Sequence, residues 1–223
     1  MNNSIFTDVD GTLCFHSKKH WVEKVSKWVS ADLPIVKDKL NWNTHECIDL
    51  STNAYEVYMA KSTIELLNSI KEQSKVILVT WWRPSTVHWR RSAFSNVDWI
   101  ILENWWNIYT PDYKEDLNWK SLLAPEREKL EEVSKYLSSL WWIQDNKWRT
   151  SSLRVRLEDN SHKTKEEFKY LIKNLSLPSE LKKTINIWCF DIILNSAWKW
   201  NAVNYLIDKL NLDKNWTIGI WDD

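Results

Sequence analysis

Asp8 and Asp10 stand two residues apart in Thr7-Asp8-Val9-Asp10-Gly11-Thr12, directly after the apolar run Ser4-Ile5-Phe6. Two carboxylates in one turn repel each other unless a cation or a shared proton relieves them, and hard oxygen ligands of this kind suit Mg²⁺. For the two acids alone a solvated strand-end loop is the better reading, but the full Asp-x-Asp-Gly-Thr after an apolar run is far more specific. Thr80 likewise closes the run Val76-Ile77-Leu78-Val79, and Asp222 and Asp223 close Thr217 to Trp221. Lys199 instead opens a segment with Ala202, Val203, Leu206, Ile207 and Leu210 at helical spacing. A helix N-terminus already carries partial positive charge, so a lysine there is misplaced unless an anion sits close by.

The elements that must hold these groups read as an α/β fold. Residues 4–8, 75–80, 97–104 and 217–223 are short apolar runs ending in polar residues, the pattern of buried strands. Helical patterns lie between several of them, such as residues 61–73 with Ile64, Leu67 and Ile70 on one face. Strands alternating with helices predict a Rossmann-like parallel sheet, in which ligands bind beyond the carboxyl ends of the strands.

Residues 109–186 read differently. An amphipathic helix over 124–140 precedes two strands around a turn at 145–148, a helix over 164–175 and a β-rich piece at 184–194. This is the signature of a small α+β cap inserted between core segments 1–108 and 187–223. Residues 14–59 form a long connection with a β-like patch at 54–60 and no further assignment.

The composition carries an anomaly. The chain has 18 Trp and 2 Gly, whereas average usage near 7% would give roughly 16 glycines. Tryptophans fall where turns or close backbone approach call for glycine: Trp81 and Trp82, Trp105 and Trp106, Trp141 and Trp142, Trp198 and Trp200, and Trp221. Most of them read as UGA codons translated as Trp in a genome whose own code reads UGA as glycine. Trp99 and Trp119 are among those that can be genuine, and a truly Trp-rich carbohydrate binder is the alternative.

Thirty basic and thirty acidic residues with no long run of either sign give no footprint for nucleic acid or an anionic membrane, leaving a small molecule as the default partner. Cys14, Cys47 and Cys189 are odd in number and lack metal-type spacing, which fits a reducing cytoplasm. No window reaches 18 apolar residues, so no membrane span is indicated. His16, His45 and His88 have no ligand spacing and read as surface residues. Arg83 before Pro84 reads as a solvated turn residue, and Arg154 and Arg156 share one face of a cap strand that would meet substrate or solvent.

Taken together, Thr7 to Leu13 resembles motif I of the haloacid-dehalogenase-like (HAD) phosphohydrolases, and the rest follows in their order. Thr80 matches motif II, Lys199 motif III and Ile218 to Asp223 motif IV, and glycine in place of Trp sharpens each match. The order resembles members whose cap lies between motifs II and III, which include sugar-phosphate and sucrose-phosphate phosphatases. The resemblance implies a Mg²⁺-dependent phosphatase acting on a phosphorylated sugar or similar metabolite. Asp8 would be the nucleophile, Asp10 the general acid/base and Thr80 a donor to the phosphoryl group. The metal would be held by Asp8, the Asp10 carbonyl and Asp222. A phosphomutase, a catalytically dead binding protein and a carbohydrate binder are the rivals. Motif IV normally adds a second acid a few residues on, so the reading also expects the gene to continue past Asp223, with another Asp within about five positions and then a helix.

The codons at Trp81, Trp105, Trp106, Trp198, Trp200 and Trp221 are expected to be UGA, with glycine at those positions in peptides of the native protein by mass spectrometry. UGG at most of the six would end the recoding account.

Overall fold

The computed structural model describes residues 3–9, 12–16, 22–29, 33–38, 44–51, 56–94, 96–103, 106–145, 149, 151–185 and 189–221. In chain order the elements begin with strands β1 (Ser4–Asp8), β2 (Phe15–His16), β3 (Val22–Val29), β4 (Leu33–Asp38), β5 (Thr44–Asp49) and β6 (Val57–Ala60). Helix α1 (Lys61–Lys71), β7 (Lys75–Val79), α2 (Pro84–Trp89), β8 (Trp99–Leu102), β9 (Asn107–Tyr109) and α3 (Leu117–Ser139) follow. The chain continues through β10 (Ser152–Arg156), α4 (Lys165–Asn174), β11 (Leu181–Ile185), β12 (Cys189–Leu194), α5 (Lys199–Lys209) and β13 (Thr217–Ile220).

The four apolar runs meet in one sheet of order β13-β1-β7-β8-β9. The first four strands are parallel, and β9 returns antiparallel to β8. Val76, Ile77, Leu78 and Val79 are buried, as a parallel strand covered on both faces requires. One side of this sheet joins Phe6, Ile77, Val79 and Ile101 to α3 and α5, and the other joins Val76, Leu78 and Ile100 to Leu67 of α1 and Val87 of α2. Parallel register puts the carboxyl ends of β1, β7, β8 and β13 along one edge, where Asp8 and Thr80 stand.

Two antiparallel sheets flank the core. Residues 14–59, unassigned from sequence, supply most of a five-stranded sheet of order β2-β6-β5-β4-β3. Its signal was weak because β4 and β5 mix polar and apolar residues without a clean alternation. The cap sheet is three-stranded, β10-β12-β11. Two points differ from the sequence reading. Among the described residues of 141–156 the one strand is β10, and the expected turn at 145–148 lies mostly outside them. Asp145 is tied to β10 by its N–H to the Arg154 carbonyl at 2.8 Å and by its carboxylate to Arg156 at 3.0 Å. β12 lies beyond the expected boundary at 186, yet it pairs with both β10 and β11. Its apolar run Ile192, Ile193 and Leu194 looks equally suited to either sheet, so pairing partners decide its place.

Helix α3 begins at Leu117, earlier than the charged pattern suggests, because the buried Asp116 caps it. The Asp116 carboxylate accepts from the N–H groups of Asn118 and Trp119, from the Tyr205 hydroxyl at 3.1 Å and from Lys209 Nζ at 2.7 Å. Both partners lie on α5, so this one carboxylate fastens the start of α3 to the helix that carries Lys199.

The ends of α3 and α5 repeat one hydrogen-bond pattern. After α5, Leu212 N–H donates to the Ile207 carbonyl and Asn211 N–H to Asp208, with Asn211 at φ 50°. After α3, Trp142 N–H donates to Leu137 and Trp141 N–H to Ser138, with Trp141 at φ 63°. This is the Schellman termination, whose left-handed residue is usually Gly and sometimes Asn. Tryptophan there carries the left-handed penalty of about 1–2 kcal/mol, and at 78% exposure its side chain recovers little through packing. Trp141→Gly is therefore expected to stabilise the protein by about 1 kcal/mol, read as a rise in the urea midpoint at unchanged slope. A drop in the midpoint would contradict this account of the helix end.

Candidate active site

Asp8 ends β1, opposite Val79 of β7, and Thr7 pairs with Ile220 of β13. Thr80 and Trp221 therefore follow directly beyond these pairings, on either side of Asp8. The Asp8 residue is 7% exposed. Its Oδ1 accepts the Val9 N–H at 2.7 Å, and the Thr7 hydroxyl donates to its carbonyl at 3.1 Å. Oδ2 faces Lys199 Nζ at 3.9 Å, with only 10% of the Asp8 and 19% of the Lys199 side chain exposed. At that separation the charges attract without a direct hydrogen bond.

Lys199 is the first residue of α5, where the helix dipole opposes it by roughly 0.3–1 kcal/mol. Burial of Ala202, Val203, Leu206 and Ile207 holds the helix in place regardless, since each larger apolar side chain contributes about 1.5–3 kcal/mol. Packing of that face and the attraction of Asp8 outweigh the unfavourable end charge.

Thr80 is buried at the end of β7. Its N–H donates to the Ile101 carbonyl at 2.9 Å, and its hydroxyl oxygen accepts the Trp82 N–H at 3.2 Å. The loop then runs through Arg83 to Pro84 in the first turn of α2, where a missing N–H does no harm. Asp10 and Asp222 lie outside the described residues, so of the expected site the structure brings together Asp8, Thr80 and Lys199.

Sequence reasoning missed Glu103. This buried residue sits at φ 47° past β8, donates its N–H to the Trp82 carbonyl at 3.0 Å, and accepts the Asn107 amide at 3.0 Å. Its own carbonyl accepts the buried Ser151 hydroxyl at 3.0 Å. Glu103 thereby joins the loop after Thr80 to the segment that leads into β10 of the cap. Nothing in Leu102-Glu103-Asn104 marks such a turn, because its partners are remote in sequence.

Other reactive groups stand apart. Burial pushes the Cys47 thiol up to about 12, which keeps it protonated and unreactive. His45 lies on β5, His88 on α2 and His162 in the turn before α4, where its ring meets the Trp141 carbonyl. The side chain of His16 lies outside the described ones. Arg154 is held bidentately by Asp191 at 2.6 Å, and Arg156 by Asp145 at 3.0 Å and Glu158 at 3.3 Å. Among the described residues no three metal-type side chains gather, and no helix is long and apolar enough to cross a membrane.

Tryptophans crowd the site. The Trp221 ring centre lies 3.3 Å from Lys199 Nζ, and its edge packs on Gly219, where an added Cβ would come 2.7 Å from the indole nitrogen. Trp200 meets it edge-on at 5.8 Å, and Trp198, the residue before α5, offers no side-chain cap. Trp81, Trp198 and Trp200 are exposed, Trp105 lies outside the described residues, and Trp106 is buried in the core with an indole N–H that finds no acceptor.

No family model and no curated protein sequence matches the chain. Solved structures do. A phosphatase of the haloalkanoate (HAD) enzyme superfamily from Bacteroides thetaiotaomicron aligns over 98% of this chain and 76% of its own, at 12% identity and TM-score 0.50. The sucrose-phosphatase of Synechocystis, solved with sucrose and phosphate, aligns over 100% and 76% at 12% identity and TM-score 0.52. A protein of Thermoplasma acidophilum aligns over 98% and 76% at 15% identity and TM-score 0.51. The chain shares the fold of these structures, a Rossmann-like α/β core with an α+β cap.

Proposed function

We propose that this chain is a phosphoric monoester hydrolase that acts on a phosphorylated sugar or similar small metabolite through an aspartyl-phosphate on Asp8. The observation that carries the reading is the approach of Lys199 to the buried Asp8 carboxylate at the carboxyl edge of the parallel sheet. A carboxylate nucleophile attacking a phosphate dianion faces like-charge repulsion, and a cation fixed beside both groups offsets it.

In the first step an Asp8 oxygen attacks phosphorus in line and the ester P–O bond breaks. The leaving alkoxide takes a proton from Asp10. Water, giving its proton back to Asp10, then attacks phosphorus, which releases inorganic phosphate and regenerates the Asp8 carboxylate. Lys199 balances charge on the transferring group, and the Thr80 hydroxyl donates to one of its oxygens. Asp8, Asp10 and Asp222 supply the hard oxygen donors that suit Mg²⁺, and the Asp8 carboxylate at a buried strand end fits such a set. Bound there, the ion would neutralise phosphoryl charge.

The active polypeptide in this proposal carries glycine at Trp81, Trp105, Trp106, Trp198, Trp200 and Trp221. With glycine at Trp198 and Trp200, the N-terminal turn of α5 can approach a phosphate through its backbone N–H groups. The indole of Trp221, which lies on Lys199, would fill that space.

In the glycine form, Asp8→Asn is expected to lower phosphate release at least ~10³-fold, since it replaces the nucleophile, with far-UV circular dichroism and thermal midpoint held. The change alters charge and little volume. Turnover near that of the parent would refute Asp8 as nucleophile.

A further inference from the structure

Arg149 is 90% buried by side chain, with 10% exposed, and no described group satisfies its Nε. Its remaining polar contacts are long, 3.4 Å from Nη1 to the Ser152 hydroxyl and 4.0 Å from Nε to Asp145 Oδ2. Both nearby carboxylates are committed elsewhere, Asp191 to Arg154 by two bonds of 2.6 Å and Asp145 to Arg156 at 3.0 Å. Burial, with Arg154 and Arg83 nearby, pulls the Arg149 guanidinium below its usual range, and Asp191 and Asp145 only partly oppose this. Among the described residues Arg149, Arg154 and Arg156 thus share two aspartates, with Glu158 reached by Arg156 at the rim.

The location matters as much as the charge. Ser151, two residues on, donates to the Glu103 carbonyl, and Glu103 donates to Trp82 in the loop after Thr80. Arg149 is therefore held at the contact between cap and core, and its influence from Arg83 comes from that same loop. A buried guanidinium with an unused donor is costly unless something anionic completes it, and its planar fork matches a carboxylate or phosphate.

We infer that Arg149 binds a second anionic group, carboxylate or phosphate, on the leaving group of the substrate, so that the enzyme selects doubly anionic phosphate esters over singly phosphorylated neutral sugars. This rests on the proposed phosphatase reading. It places the specificity of the site on a cap residue that touches the substrate away from the reacting phosphorus.

The test uses the full chain in its glycine form and compares kcat/KM for a neutral hexose monophosphate, a phosphorylated aldonic acid and a hexose bisphosphate. The parent is expected to prefer one of the two doubly anionic esters by at least ~10-fold, the range of a charge-assisted pair. The aldonic acid and the bisphosphate separate carboxylate from phosphate. Arg149→Met should erase the preference, mainly through KM, and Arg149→Lys should retain part of it, with folding checked by thermal melts. Binding of the same three compounds to the Asp8→Asn protein, measured by calorimetry, should show the same order and the same loss in Arg149→Met. If the parent hydrolyses none of the esters, the phosphatase reading fails, while the calorimetric order still decides this proposal. No preference in the parent, or one that survives Arg149→Met, overturns it.

Discussion

The Asp8 carboxylate and the Lys199 ammonium face each other at 3.9 Å in a largely buried setting, and much of the molecule serves to keep them there. Neither charge is favourable alone, since both are shielded from water and the lysine also opposes its own helix dipole. Together they relieve each other at a separation longer than a direct hydrogen bond.

The scaffold fixes this arrangement from two directions. Parallel register with β7 and β13 sets Asp8 at the strand end, so a one-residue slip would turn its side chain to the opposite face. Lys199 comes from α5, which is seated by its apolar face on the sheet and tied through Tyr205 and Lys209 to the buried Asp116 at the start of α3. Glu103 and Ser151 carry the same edge into the cap. In the proposed reading the core presents the reacting groups while a differently built cap meets them, an arrangement that would let substrate choice vary without disturbing the chemistry.

The parallel core was legible because Ser4–Asp8, Lys75–Val79 and Thr217–Ile220 are short apolar runs with abrupt polar ends. Asp8 and Thr80 stand at such ends, while Lys199 stood out for a different reason, a cation opening a helix. Residues 14–59 were not, since strand pairing there joins segments without strong alternation. Arg149 and Glu103 escaped notice because their significance is a matter of remote neighbours: a guanidinium is unmatched only once Arg154 and Arg156 have taken the aspartates. The tryptophans belong to both categories. Their position at turns is visible in sequence, but the left-handed backbone of Trp141 and the indole of Trp221 against Lys199 required coordinates.

The most direct test of the account is to trap the phosphoryl group on the protein. Acid quenching of the glycine-form enzyme during turnover of a radiolabelled phosphate ester, followed by peptide mapping, should place hydroxylamine-sensitive label on the peptide that contains Asp8. Turnover without protein-bound label, or label on a different peptide, would contradict the assignment of Asp8 and Lys199 as the centre of phosphoryl transfer.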